Sequence, residues 1–578
     1  MKKLLLGNFA VARGCYEAGV KVATAYPGTP STEITEAIAQ YDEIYCEWAP
    51  NEKVALEVAI GASIYGKRAI CSMKHVGLNV AADPLFTASY TGVNAGLLIA
   101  VADDPGMHSS QNEQDTRNIA KAAKVPVLEP SDSQECIDFV KIGFEISEKF
   151  DTPVILRLTT RVAHSQSVVE EGQREEVLFE YKKDIQKYVM MPAMARPRHE
   201  FVEKRLKRLK EFSETIEINK IEQGTQKMAF IASGIAYQYV KEAYPDAWVL
   251  KLGMVWPLPE RLIKDFCSQF EKVYVVEELD PFLEENIKAM GINNIVGKEI
   301  FKLTGEYSPS FIKKAVENKE IELPYKVEQK LAPRLPVLCP GCPHRGIFYV
   351  LSRLKDVIIT GDIGCYTLGA LSPFNAMDSC VCMGASIGMA HGISNASDKK
   401  QKVIAVIGDS TFVHSGITGI VDAVYNGSDI LVMILDNSTT GMTGHQDHPA
   451  TGYTIKGEQT YKLDLAALCK VLGCSVVEEI NPYKINENLE KIRKLLDISG
   501  VKVVIAKAPC RLHRRYKFSI SKRYVDFEKC KNCKVCLSLG CPAISIKEKP
   551  TIDENLCLAC GMCEDVCKFG AISSQKEQ

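Results

Sequence analysis

Short apolar runs alternate with amphipathic stretches along the first 165 residues of the chain. Runs such as VKVATAY, RAICSM and GLLIAVA are strand candidates, and helical patterns begin near Ser31 and Asn51. Because strands that alternate with helices build parallel sheets, this region predicts an α/β fold with a mostly parallel, doubly wound sheet.

Four further regions follow. Residues 166–225 are charged and lack strand signals, which favours surface helices that link two domains. Residues 226–325 repeat the alternation on a smaller scale, with MAFIASG, WVLKLG and VYVVEE as strands. Residues 335–515 form a third α/β region, with VIITGD, VIAVIGD, ILVMILDN and VKVVIAKA as strands. The tail, 521–578, has almost no long apolar run, so it cannot fold by hydrophobic burial alone.

Length and charge narrow the possible functions. The chain has 578 residues, which predicts several domains. Its 70 basic and 72 acidic side chains nearly cancel, so no field attracts nucleic acid or a membrane surface. The start offers only three consecutive leucines, which argues against a signal peptide, and no apolar stretch has the length of a membrane span. We therefore expect a cytoplasmic enzyme with a small substrate.

Cysteine is the most unusual feature of the composition, because eight of the 21 cysteines lie between positions 530 and 567. The tail contains two runs of the form C-x2-C-x2-C, each followed by a fourth cysteine. In such runs the first three thiolates bind one 4Fe–4S cluster and the fourth reaches the other cluster. The predicted sets are Cys530, Cys533, Cys536 and Cys567 for one cluster, and Cys557, Cys560, Cys563 and Cys541 for the other.

The tail resembles bacterial two-cluster ferredoxins and departs from them in two places. Four residues rather than three precede Cys541, and Lys568 stands where a second proline is usual. Two structural zinc sites are the alternative, although zinc does not require cysteine triplets of this form.

Two polar strand ends in the third α/β region are separated by one crossover. One strand ends in Gly408-Asp409-Ser410 and the next in Asp436-Asn437. Since successive parallel strands end at the same sheet edge, Asp409 and Asn437 can reach a common ligand. Their oxygen donors suit Mg²⁺ with phosphate groups. Taken alone, a strand-end aspartate is more often a helix cap.

The residues after Asn437 favour the metal site, because NSTTGMTG follows that strand. Together with Gly408-Asp409, this stretch resembles the thiamine-diphosphate motif. The resemblance implies that Asp409 and Asn437 hold Mg²⁺ through their side chains and Thr439 through its carbonyl group. It gives Met442 the role of bending the cofactor. Four further residues are candidate diphosphate contacts: Gly408, Gly361, Gly364 and His344.

Thiamine enzymes also need a carboxylate at N1′ of the aminopyrimidine ring, where proton exchange activates the thiazolium C2. Glu52 begins the helix NEKVALEVAIGASIYG. Its spacing to Gly61-Ala62 resembles the pyrimidine-binding domain of 2-oxoacid:ferredoxin oxidoreductases, which implies this role for Glu52. Glu47 and Glu57 compete for it, and an acidic residue in a first helical turn is often only a dipole partner.

Two candidate substrate contacts lie in the same region. The stretch Tyr26–Ser31 resembles the Y-P-x-T-P-S loop of this family, which implies that Thr29 contacts the 2-oxoacid carboxylate. A proline turn with Ser31 as helix cap is compatible with that role. Arg117 is a candidate bidentate carboxylate clamp, with a surface salt bridge as the alternative.

Four cysteines outside the tail are candidates for a third cluster: Cys339, Cys342, Cys365 and Cys510. Each lies in a segment that resembles a ligand segment in the catalytic subunits of pyruvate and 2-oxoglutarate ferredoxin oxidoreductases. The resemblance implies a third 4Fe–4S cluster near the thiamine ring. A proline-rich turn plus buried thiols is the alternative.

The resemblance covers the whole chain and implies its domain order. Residues 1–165 are the pyrimidine-binding domain, 166–225 a helical linker, 226–325 a transketolase-C-terminal-like domain, 335–515 the diphosphate domain and 521–578 the ferredoxin domain. The implied reaction is the oxidative decarboxylation of an aryl pyruvate such as indole-3-pyruvate with coenzyme A, with two electrons passing to ferredoxin. A separate, smaller β subunit is expected. A pyruvate-specific enzyme is the main alternative, and a non-oxidative thiamine-dependent decarboxylase leaves the tail cysteines without a purpose.

Overall fold

The computed structural model describes residues 2–319, 332, 335–518 and 521–574. The chain divides into two compact units, Met1–Glu328 and Gln329–Gln578. The predicted domain limits at 325 and 578 lie outside the described residues.

The first unit is built around a seven-stranded sheet. Its strands follow in the spatial order Met254–Trp256, Val127–Leu128, Val154–Thr159, Leu97–Asp103, Ala69–Lys74, Val22–Ala25 and Tyr45–Trp48. All neighbours are parallel except Met254–Trp256, which is antiparallel to Val127–Leu128. The three central strands are buried along their whole length, as expected where helices cover both faces. The predicted α/β class with a mostly parallel sheet is confirmed.

The helices of this sheet include the two that the pattern predicts near Ser31 and Asn51. The first is Thr32–Ile38 and the second is Glu52–Tyr65. The Asn51 side chain caps the second by accepting a hydrogen bond from Val54 N, and Gly66 ends it in the left-handed region at φ 103°. The others are Gly7–Glu17, His75–Val80, Ala82–Thr91, Thr116–Ala123, Ser133–Phe150 and Thr160–His164.

A second sheet in the first unit has five strands. Their spatial order is Ile295–Val296, Val273–Val276, Ala229–Ala232, Trp248–Leu252 and Asn219–Glu222, and only the last is antiparallel to its neighbour. Its helices are Gly234–Ala243, Glu260–Cys267, Phe282–Ala289 and Pro309–Glu317.

The segment 166–225 contains the expected helices, Ile185–Tyr188 and Pro192–Ser213. It also contains two strands, so the expectation that it lacks them was wrong. Gln166–Glu170 pairs with Lys2–Leu6, and Asn219–Glu222 is the edge strand of the second sheet. Most side chains of both strands are polar, and most are at least partly exposed. Backbone pairing rather than an alternating apolar pattern therefore defines these strands.

The second unit contains a six-stranded, fully parallel sheet. Its order is Ser379–Cys380, Val357–Gly361, Lys402–Gly408, Ile430–Asp436, Val501–Lys507 and Val476–Ile480. The helices around it are His344–Leu351, Ala385–Ala396, Ile417–Tyr425, Leu465–Val471 and Ile485–Leu495. A short turn, Asp409–Thr411, and a π-helical turn, Phe412–Gly416, lead from the third strand into Ile417–Tyr425.

The cysteine-rich tail packs on this sheet domain. It has two antiparallel strand pairs and one short helix: Arg523–Val525 with Ile572–Ser574, Ile544–Ile546 with Pro550–Ile552, and Met562–Asp565. Leu539, Met562 and Ile572 share one hydrophobic core with Ile347 and Phe348 of the sheet domain. The apolar side chains of the tail are therefore buried against the sheet domain rather than in a core of their own. Among the described residues, no helix is long and apolar enough to cross a membrane.

Candidate active site

The two predicted metal-binding strand ends lie side by side in the second unit. Strands Lys402–Gly408 and Ile430–Asp436 are parallel neighbours, with Gly408 opposite Leu435. Asp409 and Asn437 directly follow them and are 2% and 7% exposed. Ser438 N donates to Asp409 Oδ2 over 2.9 Å, which joins the two strand ends. The parallel register thus places both predicted donors at one sheet edge.

A second carboxylate lies beside Asp409. Burial raises the pKa of Asp436 to about 7, and the neighbouring Asp409 adds to the rise. Burial opposes ionisation of Asp409 as well, but His448 and several hydrogen bonds hold its pKa below the usual range. Asp409 is therefore ionised near neutral pH, whereas Asp436 is only partly ionised there.

His448 is a site residue that the sequence reasoning missed. Its Nε2 lies at ion-pair distance from Asp409 Oδ2, 3.3 Å away. Its Nδ1 is buried without a hydrogen-bond partner. Because buried polar groups are almost always partnered, the site provides hydrogen-bonding capacity for a polar group beside a carboxylate. This arrangement fits a diphosphate with its Mg²⁺. The signal in the sequence was HQDHP, directly after the thiamine-type motif.

Asn437 connects the metal-binding candidates to His344. Asn437 Nδ2 lies 3.3 Å from His344 Nε2, and Thr439 N donates to Asn437 Oδ1 over 3.3 Å. Burial lowers the pKa of His344 to about 4, so this imidazole is neutral at pH 7. Met442, the predicted wedge, lies in the turn Gly441–Thr443 and is 56% exposed.

The three predicted glycine contacts each make room for a side chain. A Cβ on Gly361 would lie 2.0 Å from Met377 Sδ. A Cβ on Gly364 or Gly408 would lie 2.4 or 2.6 Å from Tyr366 Cε1. A side chain at Gly364 or Gly408 would displace the Tyr366 ring, one at Gly361 would displace Met377, and contact of these glycines with a diphosphate stays a prediction.

The four cysteines proposed for a third cluster are neighbours in space. Burial raises the pKa of the Cys342 thiol to about 12, and the thiols of Cys365 and Cys339 contribute. Burial also raises the pKa of Cys365 to about 11, with contributions from Cys510 and Cys339. Cys510 N donates to Asn437 O over 2.9 Å, so this set borders the candidate metal-binding residues.

Electrostatic interactions group the thiols of the tail as the spacing predicts, and their role as cluster ligands stays a prediction. Burial raises the pKa of the Cys536 thiol, and the thiols of Cys533, Cys530 and Cys567 contribute. Burial likewise raises the pKa of Cys563, with contributions from Cys560, Cys557 and Cys541. A cavity is lined by this second set together with Arg345 and Arg523. As the side chains stand, no three His, Cys, Asp or Glu in the described parts of the chain are arranged to hold a metal ion.

The longer spacing before Cys541 is accommodated by Gly540. Its φ of 60° lies in the left-handed region, and a Cβ there would lie 2.7 Å from Pro373 Cδ. The departure from the ferredoxin pattern thus coincides with close packing of the tail against the sheet domain.

Glu52 lies in the first unit and is the most buried of the three candidate carboxylates. It is the first residue of its helix and is 5% exposed. A Cβ on Gly77 would lie 2.6 Å from Glu52 Oε1, so the carboxylate in its present position packs closely against this glycine. Glu57 is exposed and paired with Lys53, and Glu47 is only partly buried. This environment favours Glu52 as the functional carboxylate, a role that stays a prediction.

Thr29 lies beside a buried lysine that the sequence reasoning missed. Ser109 Oγ donates to Thr29 O over 3.4 Å, and Lys74 Nζ donates to Ser109 O over 2.5 Å. Lys74 ends a fully buried strand, and burial lowers its pKa to about 8. A charged residue at the end of the strand AICSMK was the available signal.

Arg117 is neither a surface salt bridge nor a free clamp. It is 1% exposed, and its guanidinium pairs with Asp115 over 2.5 Å and with Glu277 over 2.8 Å. It also donates to Glu278 O over 3.2 Å. Each guanidinium nitrogen therefore has a protein partner. Because Arg117 is buried, the alternative of a surface salt bridge was wrong. Because its nitrogens are already paired, the predicted role as a carboxylate clamp is not favoured.

Three family models match the chain. Residues 13–228 match the thiamine diphosphate-binding domain of pyruvate flavodoxin/ferredoxin oxidoreductases. Residues 362–506 match the C-terminal domain of thiamine pyrophosphate enzymes, which binds that cofactor, and residues 550–573 match a 4Fe–4S binding domain.

Full-length relatives carry one name. The chain is 42% identical to indolepyruvate oxidoreductase subunit IorA of Archaeoglobus fulgidus, over 100% of this chain and 98% of the relative. It is 41% identical to the subunit of the same name from Pyrococcus horikoshii, over 100% and 97%. The solved 2-oxoglutarate:ferredoxin oxidoreductase of Magnetococcus marinus is 18% identical, with a TM-score of 0.47, over 55% of this chain and 65% of its own. By its full-length relatives and its domains, the chain belongs to the 2-oxoacid:ferredoxin oxidoreductases, within the family of indolepyruvate oxidoreductase IorA subunits.

Proposed function

We propose that this chain, together with a separate smaller subunit, oxidises indole-3-pyruvate with coenzyme A to indole-3-acetyl-coenzyme A and CO₂. Two electrons leave through iron–sulfur clusters to ferredoxin. The observation that carries the proposal is the order of sites in the second unit. The Asp409–Asn437 edge borders one four-cysteine set, and that set borders the tail.

Thiamine diphosphate, when bound, supplies a ring that stabilises negative charge on the carbon that loses CO₂. Asp409, Asn437 and the carbonyl group of Thr439 are the proposed ligands of its Mg²⁺. His448 supplies a buried Nδ1 for a polar group of the cofactor, and His344 is a neutral partner of Asn437. Glu52 is the proposed carboxylate that exchanges a proton with N1′ of the aminopyrimidine.

Three four-cysteine sets support a route for electrons. The set at Cys339 borders Asn437 through Cys510 and borders the tail through Gly341, where a Cβ would lie 3.0 Å from Leu558 Cβ. The last set contains the exposed Cys533, flanked by the exposed Lys531 and Lys534. An acidic electron carrier such as a ferredoxin fits this basic end of the tail.

The count of iron atoms tests the third cluster. We expect about twelve irons per chain in the anaerobically purified protein, because three 4Fe–4S clusters hold four each. Cys510→Ser is expected to lower the count toward eight. Cys474→Ser is the control, since Cys474 lies outside all three sets. A wild-type count near eight, unchanged in Cys510→Ser, would contradict the third cluster and leave the two tail clusters in place.

Substrate preference tests the choice of oxoacid. With both subunits, coenzyme A and a viologen acceptor, we expect kcat/KM for indole-3-pyruvate to exceed that for pyruvate by about 100-fold or more. The expectation rests on the names of the full-length relatives and on the free energy of burying an aromatic ring. Equal or reversed preference would favour the pyruvate-specific alternative, and CO₂ release without any acceptor would favour a non-oxidative decarboxylase.

A further inference from the structure

Arg345 is a buried arginine between two of the four-cysteine sets. It is 1% exposed, and Nη1 donates to Leu539 O over 2.7 Å in the tail. Nη2 donates to Cys339 O over 3.0 Å and also to Leu338 O. One guanidinium therefore joins the loop that begins at Cys339 to the segment that precedes Cys541.

Thiols of both four-cysteine sets lie close enough to Arg345 to interact with its charge. Burial lowers the pKa of Arg345, and the thiols of Cys541, Cys342, Cys560 and Cys339 oppose that change. Arg345 also lines the cavity formed by the Cys541 set. The positive charge of Arg345 therefore lies near both predicted clusters.

Arg511 is a second cation at the same junction. It follows Cys510 in the chain and donates to Leu558 O, between Cys557 and Cys560. Its guanidinium lies 4.0 Å from the Phe518 ring centre and its Cγ lies 3.5 Å from the Cβ position of Gly341. This arginine therefore also spans from the Cys339 loop to the tail.

Each arginine keeps one buried N–H without a partner. Arg345 Nε and Arg511 Nε are buried and make no hydrogen bond to the protein. An unpartnered buried donor is destabilising, so its presence at both positions indicates an acceptor that belongs there. Thiolate and sulfide sulfur atoms of a bound cluster are acceptors of that kind.

We propose that Arg345 and Arg511 form a cationic bridge that raises the reduction potentials of the clusters at the Cys339 and Cys541 sets. The inference rests on the proposed function, because it assumes that both sets hold clusters. A 4Fe–4S cluster gains a negative charge when it is reduced, and a fixed positive charge nearby stabilises that form. The effect is strong here because burial removes the water that would otherwise screen the charge. These are positioning residues that act through the clusters.

The reduction potentials of the purified two-subunit enzyme, followed by electron paramagnetic resonance in a redox titration, test the proposal. Arg345→Gln is expected to lower at least one potential by about 59 mV or more, which is a ten-fold weaker electron affinity for a one-electron couple. Arg345→Lys keeps the positive charge, so its potentials are expected to stay close to those of the unmodified enzyme. Arg353→Gln is the control: it contacts the tail at Ser538 but is exposed, so we expect unchanged potentials.

Arg511→Gln guards against a folding defect, because it leaves the three carbonyl contacts of Arg345 intact. It is expected to shift a potential in the same direction as Arg345→Gln. Full iron content with unchanged potentials in both glutamine variants would overturn this inference while leaving the proposed function standing. By contrast, a wild-type protein without clusters at these sets would overturn the proposed electron route itself.

Discussion

Replacing Glu52 by glutamine is expected to lower turnover of the 2-oxoacid by about 100-fold or more, since positioned proton transfer contributes at least that factor. Glutamine has nearly the same shape but cannot exchange a proton as a carboxylate does. The variant is expected to keep its iron content and its affinity for thiamine diphosphate. Viologen reduction with saturating cofactor measures the loss, and isothermal calorimetry measures cofactor binding.

Glu57→Gln is the matched control, because Glu57 lies on the same helix but is exposed and paired with Lys53. It should retain activity close to that of the unmodified chain. Full turnover in Glu52→Gln would remove Glu52 from the reaction. Loss in both variants together with loss of the folded state would instead indicate that the helix Glu52–Tyr65 tolerates no change.

Removing one tail ligand by Cys557→Ala is expected to lower reduction of ferredoxin strongly while CO₂ release in a single turnover persists. The expected loss in ferredoxin reduction is about ten-fold or more, because the proposed cluster at Cys541, Cys557, Cys560 and Cys563 lies on the proposed exit route. Labelled CO₂ release and ferredoxin absorbance, measured on the same preparation, separate the two steps.

Cys474→Ala is the control for loss of a thiol, since Cys474 belongs to none of the four-cysteine sets and we expect both steps to continue in that variant. Unchanged ferredoxin reduction in Cys557→Ala would exclude the tail as the exit. Loss of CO₂ release in Cys557→Ala, with Cys474→Ala active, would mean that the tail is required before electrons leave.

Local pattern was sufficient for the elements and motifs whose information is short-range. The α/β class follows from strands and helices that alternate over tens of residues, and the helix at Glu52 is marked by an Asn51 cap and a Gly66 stop. Spacing also predicts the crossed cysteine sets of the tail, because a cluster requires its ligands at fixed separations.

Local pattern failed where pairing partners lie far apart in the chain. The strand Asn219–Glu222 has little apolar character and is specified by its partner Trp248–Leu252. Arg117 is a candidate carboxylate clamp or surface ion pair by sequence, yet Asp115 and Glu277 enclose it. Glu277 is separated from Arg117 along the chain by about half the length of the first unit, so no local sequence pattern can reveal that pair.

The sequence by itself determined the chemistry of this protein: a diphosphate-type motif, a candidate carboxylate and two cysteine runs. Only the tertiary structure decided which distant groups lie close together. It gathers Cys365 and Cys510 with the loop of Cys339 and Cys342, and it buries His448 beside Asp409. The physical reason is that the spacing of ligands is a property of residues close together in the sequence. The burial of a side chain and its electrostatic interactions depend instead on which distant segments pack together.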